Sequence, residues 1–236
     1  MAIYVIGDLH LSFGTDKPMN VFGSNWENHP LRLQQGFSEV CDEDTVILAG
    51  DLSWGISLQE ALEDFRFIDK LPGKKLIVKG NHDYWWETVG KTNRFFGENG
   101  ISSIGFLHNN AVLAEGVALC GTRGWFFEEE RNEHSEKIYQ RELGRLEASL
   151  KAGKKLGAEQ LIAVLHYPPI CAGFDCVEMT DMLSDYGVSH CYYGHLHGMS
   201  HQYAFRGMHK GVFYHLVSAD FLGFVPKKIE GIDLFG

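Results

Sequence analysis

Five short apolar runs in this chain end in residues able to bind metal. Ile3–Ile6 leads into Gly7-Asp8-Leu9-His10, Val46–Ala49 into Gly50-Asp51, and Leu76–Lys79 into Gly80-Asn81-His82-Asp83. Leu161–Leu165 leads into His166, and Cys191–Tyr193 into Gly194-His195-Leu196-His197. A lone Asp after a strand is ordinarily a turn or cap residue, and a lone His an ordinary hydrogen-bonded one. Recurrence at five run ends, four times beside a glycine, points instead to one shared site. The candidate ligands are the carboxylates Asp8 and Asp51, the amide Asn81, and the imidazoles His10, His166, His195 and His197. That set exceeds what one tetrahedral ion takes. It suits two ions if one carboxylate bridges. Mixed N and O donors without thiolate favour Mn, Fe, Zn, Co or Ni over Ca or Mg. The glycines let the chain turn tightly toward the ions.

Elements that could position these residues alternate along the chain. Strands are expected at Ala2–Ile6, Thr45–Ala49, Leu76–Lys79, Ala111–Glu115, Val117–Cys120, Leu161–Leu165, Cys191–Tyr193 and Val212–Val217. A helix is expected from Ser57, with Glu60 completing a capping box and Pro72-Gly73 ending it. A second should span Glu133–Gly153, with Ile138, Leu143, Leu146 and Leu150 inward and a charged, solvated outer face. Alternating strands and helices argue an α/β layered fold, in which ligands bind at the carboxyl ends of the strands. The early strands read as parallel, and the pair around Gly116 as antiparallel. Ser12–Pro30 lacks periodicity and reads as a long, functional loop.

Composition narrows the classes. The chain has 236 residues, a hydrophobic content of 44% and a net charge of −10, which fits a folded globular domain and disfavours nucleic-acid strands and anionic membranes as partners. No run approaches the roughly 20 apolar residues of a membrane helix, and no secretory leader is visible. Cys41, Cys120, Cys171, Cys176 and Cys191 are odd in number and irregular in spacing. They read as buried free thiols in a reducing cytoplasm. The gap between Cys171 and Cys176 could serve zinc, but no second cysteine pair follows.

The ordered series Asp8-x-His10, Gly50-Asp51, Gly80-Asn81-His82-Asp83, His166, Gly194-His195-x-His197 resembles the calcineurin-like metallophosphoesterase superfamily. The resemblance implies a four-layer αββα sandwich of two mixed β-sheets flanked by helices, with a dimetal site at the C-terminal ends of the strands. Residues 1–236 should then form a single metallophosphoesterase domain. One ion would be held by Asp8, His10, Asp51 and His197, the other by Asp51, Asn81, His166 and His195, with Asp51 bridging. His82 would be the general acid for the leaving oxygen.

Two ions about 3.5–4 Å apart can lower the pKa of a shared water and present hydroxide to phosphorus. They also outweigh the two carboxylates, so an anionic substrate meets a positive hole in a negative protein. Asn81 belongs to the substrate-facing edge as well as to the ligand set. Arg123, in a Gly-rich turn, reads equally as a bidentate phosphate clamp or an ion-paired arginine. Trp26, Trp54, Trp85, Trp86 and Trp125 read equally as a pocket rim or as core. Asp83 reads as an orienter of His82 or as a turn acid. Protein serine/threonine phosphatases of the superfamily carry an arginine in the motif that here reads Gly50-Asp51-Leu52-Ser53-Trp54-Gly55, so that alternative ranks below a small phosphomonoester or phosphodiester such as a nucleotide or cyclic nucleotide. A non-catalytic scaffold with the same fold is the alternative of a different class.

Overall fold

A computed structural model describes residues 1–125 and 133–229. Its strands are β1 (Ile3–Ile6), β2 (Thr45–Leu48), β3 (Lys74–Ile77), β4 (Ile104–Phe106), β5 (Asn110–Ala114), β6 (Val117–Thr122) and β7 (Gln160–Leu165). They continue as β8 (Ile170–Cys171), β9 (Phe174–Asp175), β10 (Val188–Tyr193), β11 (Gly207–His209), β12 (Val212–Leu216) and β13 (Lys227–Lys228). The α-helices are α1 (His29–Gly36), α2 (Leu62–Lys70), α3 (Val89–Glu98), α4 (Glu133–Lys155) and α5 (Val177–Asp185).

Two large mixed sheets carry the site. One has the order β13-β1-β2-β3-β4, the other β11-β12-β10-β7-β6-β5. Strands β1 to β4 are parallel, with β13 antiparallel to β1. Strands β6, β7, β10 and β12 are also parallel. The expected antiparallel pairing of the later half is thus confined to β5–β6, β11–β12 and the small β8–β9 hairpin. Helices α4 and α5 supply the long crossovers that parallel β6, β7 and β10 need.

Period-two alternation builds the layers. Ile3, Val5, Ile47 and Ala49 face Val117, Leu119, Ile162 and Val164 between the sheets. Tyr4, Ile6, Val46 and Leu48 turn the other way, onto Leu33 of α1, Phe65 of α2 and Phe96 of α3. On the far side Ala118, Cys120, Ala163 and Leu165 pack on Leu146 and Leu150 of α4 and Met179 of α5. Three cores between four layers make the αββα sandwich.

Several boundaries move for physical reasons. Strand β3 starts at Lys74, because buried Lys75 donates from Nζ to the carbonyls of Asp69 (3.3 Å) and Leu71 (2.6 Å) at the end of α2. Residue Ser57 does accept from Glu60 N, but Glu60 returns its bond to Ile56 N, and the α-helix begins only at Leu62. On α4 the buried face includes polar Glu142 and Ser149, while Ile138 and Leu143 are half-buried. Ser149 Oγ accepts from Gly121 N (2.8 Å) and donates to Asn110 O (2.6 Å), fastening α4 to the β5–β6 hairpin. The Ser12–Pro30 stretch contains short 3-10 turns at Met19–Phe22 and Ser24–Trp26, then the start of α1. All five cysteines are free, and Cys41 is exposed rather than buried. It sits in a turn where its N–H donates to Asp44 Oδ2 (2.9 Å).

Candidate metal centre

Each predicted ligand lies just past the end of a parallel strand, and the edges of both sheets bring them together. Asp8, His10 and His197 offer ligand atoms within 4.8 Å of one another, and so do Asp51, His166 and His195. Asp51 Oδ2 stands between the two groups, 3.8 Å from His10 Nε2 and 3.5 Å from His166 Nε2. Asn81 Oδ1 is 2.7 Å from His166 Nε2. All seven ligands of the sequence reading therefore converge.

The backbone is bent to do this. Asp8, His10, Asp51 and His195 have φ of 58°, 45°, 52° and 73°. Such left-handed non-glycine conformations cost of order 1–3 kcal/mol each and persist where the surroundings over-determine them. Two glycines make room: a Cβ on Gly80 would collide with the Asp51 carboxylate, and one on Gly194 with that of Asp8.

The donor atoms fit a pair of cations. His166 Nδ1 donates to Ala49 O (3.1 Å), which turns the bare Nε2 onto the oxygen of Asn81. His197 Nδ1 donates to Asp220 Oδ1 (3.0 Å), which turns its Nε2 onto His10 Nε2 (3.3 Å) and Asp8 Oδ1 (3.5 Å). Lone pairs that face one another in a buried site call for a positive charge between them. The titration behaviour agrees. Burial, then the charge of Asp8, pushes the Asp51 carboxyl up to about 8. Burial opposes a charge on His197, but Asp8 and Asp220 outweigh it and raise the imidazole to about 10. Burial, with His166 beside it, drops His195 to about 3. Protons on Asp51 and His197 stand where cations belong, while His195 stays neutral.

Two supporting carboxylates carry the loops. Buried Asp83 accepts from Gly80 N (2.7 Å), Asp51 N (2.9 Å), Leu52 N (2.9 Å) and Trp85 Nε1 (3.0 Å). It orders backbone, and none of these bonds reaches the His82 ring. Buried Asp64 accepts from Phe13 N (2.8 Å) and Ser53 Oγ, tying the loops after β1 and β2 to α2. Sequence reading missed Asp64 and Asp220. Asp220 lies in a turn after β12 with no motif around it, and only the pairing of β10 with β12 brings it under His197.

His82 donates its backbone N–H to Asp51 Oδ1 (2.7 Å), and its half-buried ring lies 4.6 Å from that of Trp54. Burial, then the neighbouring His166 and His197, holds its pKa below the usual value. The ring lines a cavity of about 310 Å³ with His10, His197, Met19, Phe22, Trp26, Trp54 and Met199. Of the five tryptophans, Trp26 and Trp54 border this cavity, Trp85 is core, Trp86 lines another cavity, and Trp125 packs against the α4 core. The Arg123 side chain turns to Glu142 of α4, while its backbone adjoins the predicted ligand His166. Its Nη2 donates to Glu142 Oε1 (3.1 Å), and its carbonyl accepts from His166 N (3.1 Å) and Tyr167 N (2.9 Å).

Residues 1–199 match the family described as calcineurin-like phosphoesterase, and the chain belongs to that family. It is accordingly a metal-dependent hydrolase acting on phosphoester bonds, an enzyme and not a scaffold. A search of curated proteins finds no match. The solved structure of phosphopantetheinyl hydrolase (PptH) from Mycobacterium tuberculosis is similar over 100% of this chain and 98% of its own, at 13% identity and a TM-score of 0.60, a likeness of fold. The protein of unknown function AQ665 from Aquifex aeolicus aligns over 98% of this chain and 97% of its own, at 16% identity and a TM-score of 0.46. Among the described residues no helix is long and apolar enough to cross a membrane.

Proposed function

We propose that Asp8, His10, His197 and Asp51 hold one transition-metal ion, that Asp51, Asn81, His166 and His195 hold a second, and that the enzyme hydrolyses a small phosphomonoester or phosphodiester whose leaving group lies in the cavity beside His82. The observation that carries this is the two groups of facing lone pairs with a protonatable ring at their rim. Bound there, the ions would activate water and neutralise phosphoryl oxygens. Asp51 bridges the groups, and the His82 N–H on its Oδ1 fixes which oxygen faces the ions. Asp220 holds His197 by Nδ1 so that Nε2 is the ligand atom. The His82 ring delivers a proton to the leaving oxygen. Met19, Phe22, Trp26 and Trp54 exclude water from that oxygen and favour an apolar or aromatic leaving group such as a nucleoside.

The strands β11, β12 and β13 lie beyond the family match yet complete both sheets, which supports one domain over the whole chain. Free thiols support a reducing cytoplasm. The test is elemental analysis of the purified protein, followed by turnover of p-nitrophenyl phosphate, bis-p-nitrophenyl phosphate and cyclic nucleotides with added Mn²⁺. Two ions per chain and turnover of at least one ester are expected. A chain that binds no metal and leaves every ester intact overturns the proposal.

A further inference from the structure

A second cavity, of about 430 Å³, is lined by Lys79, Trp86, Glu87, Thr88, His108, Arg123, Glu142 and Arg145. It is the next stop along the same sheet edge. Asn81 and His166 follow β3 and β7, whereas this cavity takes Lys79 just past β3, His108 after β4, Arg123 after β6, and Arg145 from α4.

Its charge is unbalanced. The fully buried Glu142 spends Oε1 on both Arg123 and Arg145, and Glu87 is taken by Lys91 (3.2 Å). Among the described residues Lys79 has no carboxylate within ion-pair distance. Arg123 Nε is buried without an acceptor. Two of the three cations thus share Glu142, the third has no carboxylate, and a donor is left idle. Burial, and then Arg145, Lys79 and Arg123, drop the adjoining His108 to about 4. The three cations that crowd this ring are positive charge that an anion would relieve. Oε2 of Glu142, also without a partner, is a wall the anion must avoid.

We infer that this cavity binds a phosphoryl dianion, gripped by Lys79, Arg123 and Arg145 against the Trp86 ring. Forked guanidinium donors and a point-charge ammonium are the usual partners of phosphoryl oxygens. The dianion is either a second phosphate carried by the substrate, away from the scissile bond, or free inorganic phosphate. The first source rests on the phosphoesterase reading above, and the binding itself does not.

The experiment titrates inorganic phosphate into chelator-stripped full-length protein, read by calorimetry and tryptophan fluorescence. Without metal, the one cationic ring of the metal centre, His197, lies between Asp8 and Asp220, so that centre has no unpaired positive charge to hold an anion. Wild type should bind one phosphate per chain. Lys79→Gln and Arg145→Gln should each bind at least tenfold more weakly, and Asp51→Asn as wild type does. Lys79 and Arg145 are both partly exposed, so at least one variant is expected to fold, as melting curves check. No saturable binding by wild type, or equal binding by a folded Lys79→Gln or Arg145→Gln, overturns the inference. A second arm loads Mn²⁺ and compares a nucleoside diphosphate with p-nitrophenyl phosphate. A tenfold rise in the ratio of their KM values in Lys79→Gln assigns the site to a substrate phosphate, and an unchanged ratio assigns it to free phosphate. If neither ester turns over, the phosphoesterase reading fails while the stripped-protein titration still decides the cavity.

Discussion

The cavity beside His82 and the cavity beside Lys79 open along one sheet edge, yet their walls have opposite chemistry. The first is aromatic and thioether: Met19, Phe22, Trp26, Trp54 and Met199. The second is cationic: Lys79, Arg123 and Arg145 around one buried carboxylate. Parallel strands in both sheets place every chain crossing at the same edge, so position is common to both. What differs is which segment follows the strand. The loop between β1 and α1 brings apolar rings, and the far ends of β3 and β6 bring charges. A net charge of −10 therefore says little about the field at the site. On the two proposals above, the phosphoryl group would sit between a wall suited to its leaving group and a wall suited to a further anion.

The largest blow to that comparison removes what both flanks share. Asp51→Asn takes away the carboxylate between the two ligand groups. Turnover should fall more than about 10³-fold, beyond the 10–100-fold typical of groups one bond removed from a metal. Added Mn²⁺ should raise the melting temperature of wild type, by about 2.7 kcal/mol of stability per ion at a hundredfold excess over Kd, and leave the variant unmoved. A variant that keeps both ions would disprove a bridging role.

His82→Ala strikes one flank alone. The ions should stay bound, because His82 contributes only its backbone N–H to Asp51. Rates should drop by about 10²–10⁴-fold on esters with poor leaving groups, and less on p-nitrophenyl phosphate. Equal losses on both would remove His82 as the acid and leave the apolar cavity without a catalytic function.

The two flanks also differ in how far the sequence revealed them. The ligands were legible because each follows an apolar run directly, and strands of that kind are hard to mistake. Trp54 was legible as a neighbour of Asp51. The basic cavity was not. Glu142 lies on a face of α4 that charge patterning assigns to solvent, so its grip on Arg123 is invisible without the packing of α4 on β6. Helix α3, whose lead-in carries Trp86, was hidden by Gly90, Gly97 and the β-branched Val89 and Thr92, all weak helix formers. It holds through the Thr88 cap on Lys91 N and the burial of Phe96. Asp220 and β13 depend on pairings across the chain that leave no local pattern. Lys227 and Lys228 carry no apolar run, and they form a strand only because β1 offers its edge.

Asp220→Asn sharpens the comparison at a smaller scale. It leaves every ligand in place but weakens the hold on His197 Nδ1. Metal affinity should fall about 10–100-fold, and excess Mn²⁺ should restore much of the rate. The phosphate affinity of the stripped protein should stay at the wild-type value, since the basic cavity shares no residue with Asp220. Loss of both would show that the two regions are coupled through the edge of the sheets.

The smallest expected effect isolates the apolar wall itself. Trp26 is the poorer choice, because it is only 4% exposed and packs on Phe224, so truncation would cost about 3–5 kcal/mol of stability. Phe22 lines the same cavity but is 67% exposed, so the fold loses little without it. Phe22→Ala should raise KM for esters with an aromatic leaving group by roughly fivefold, about 1 kcal/mol of lost apolar contact. KM for a methyl or glycerol phosphate should not move, and kcat should hold for both. A uniform KM increase across aromatic and small polar esters would mean that Phe22 shapes access to the ions rather than a leaving-group wall. The contrast between the two cavities would then reduce to charge alone.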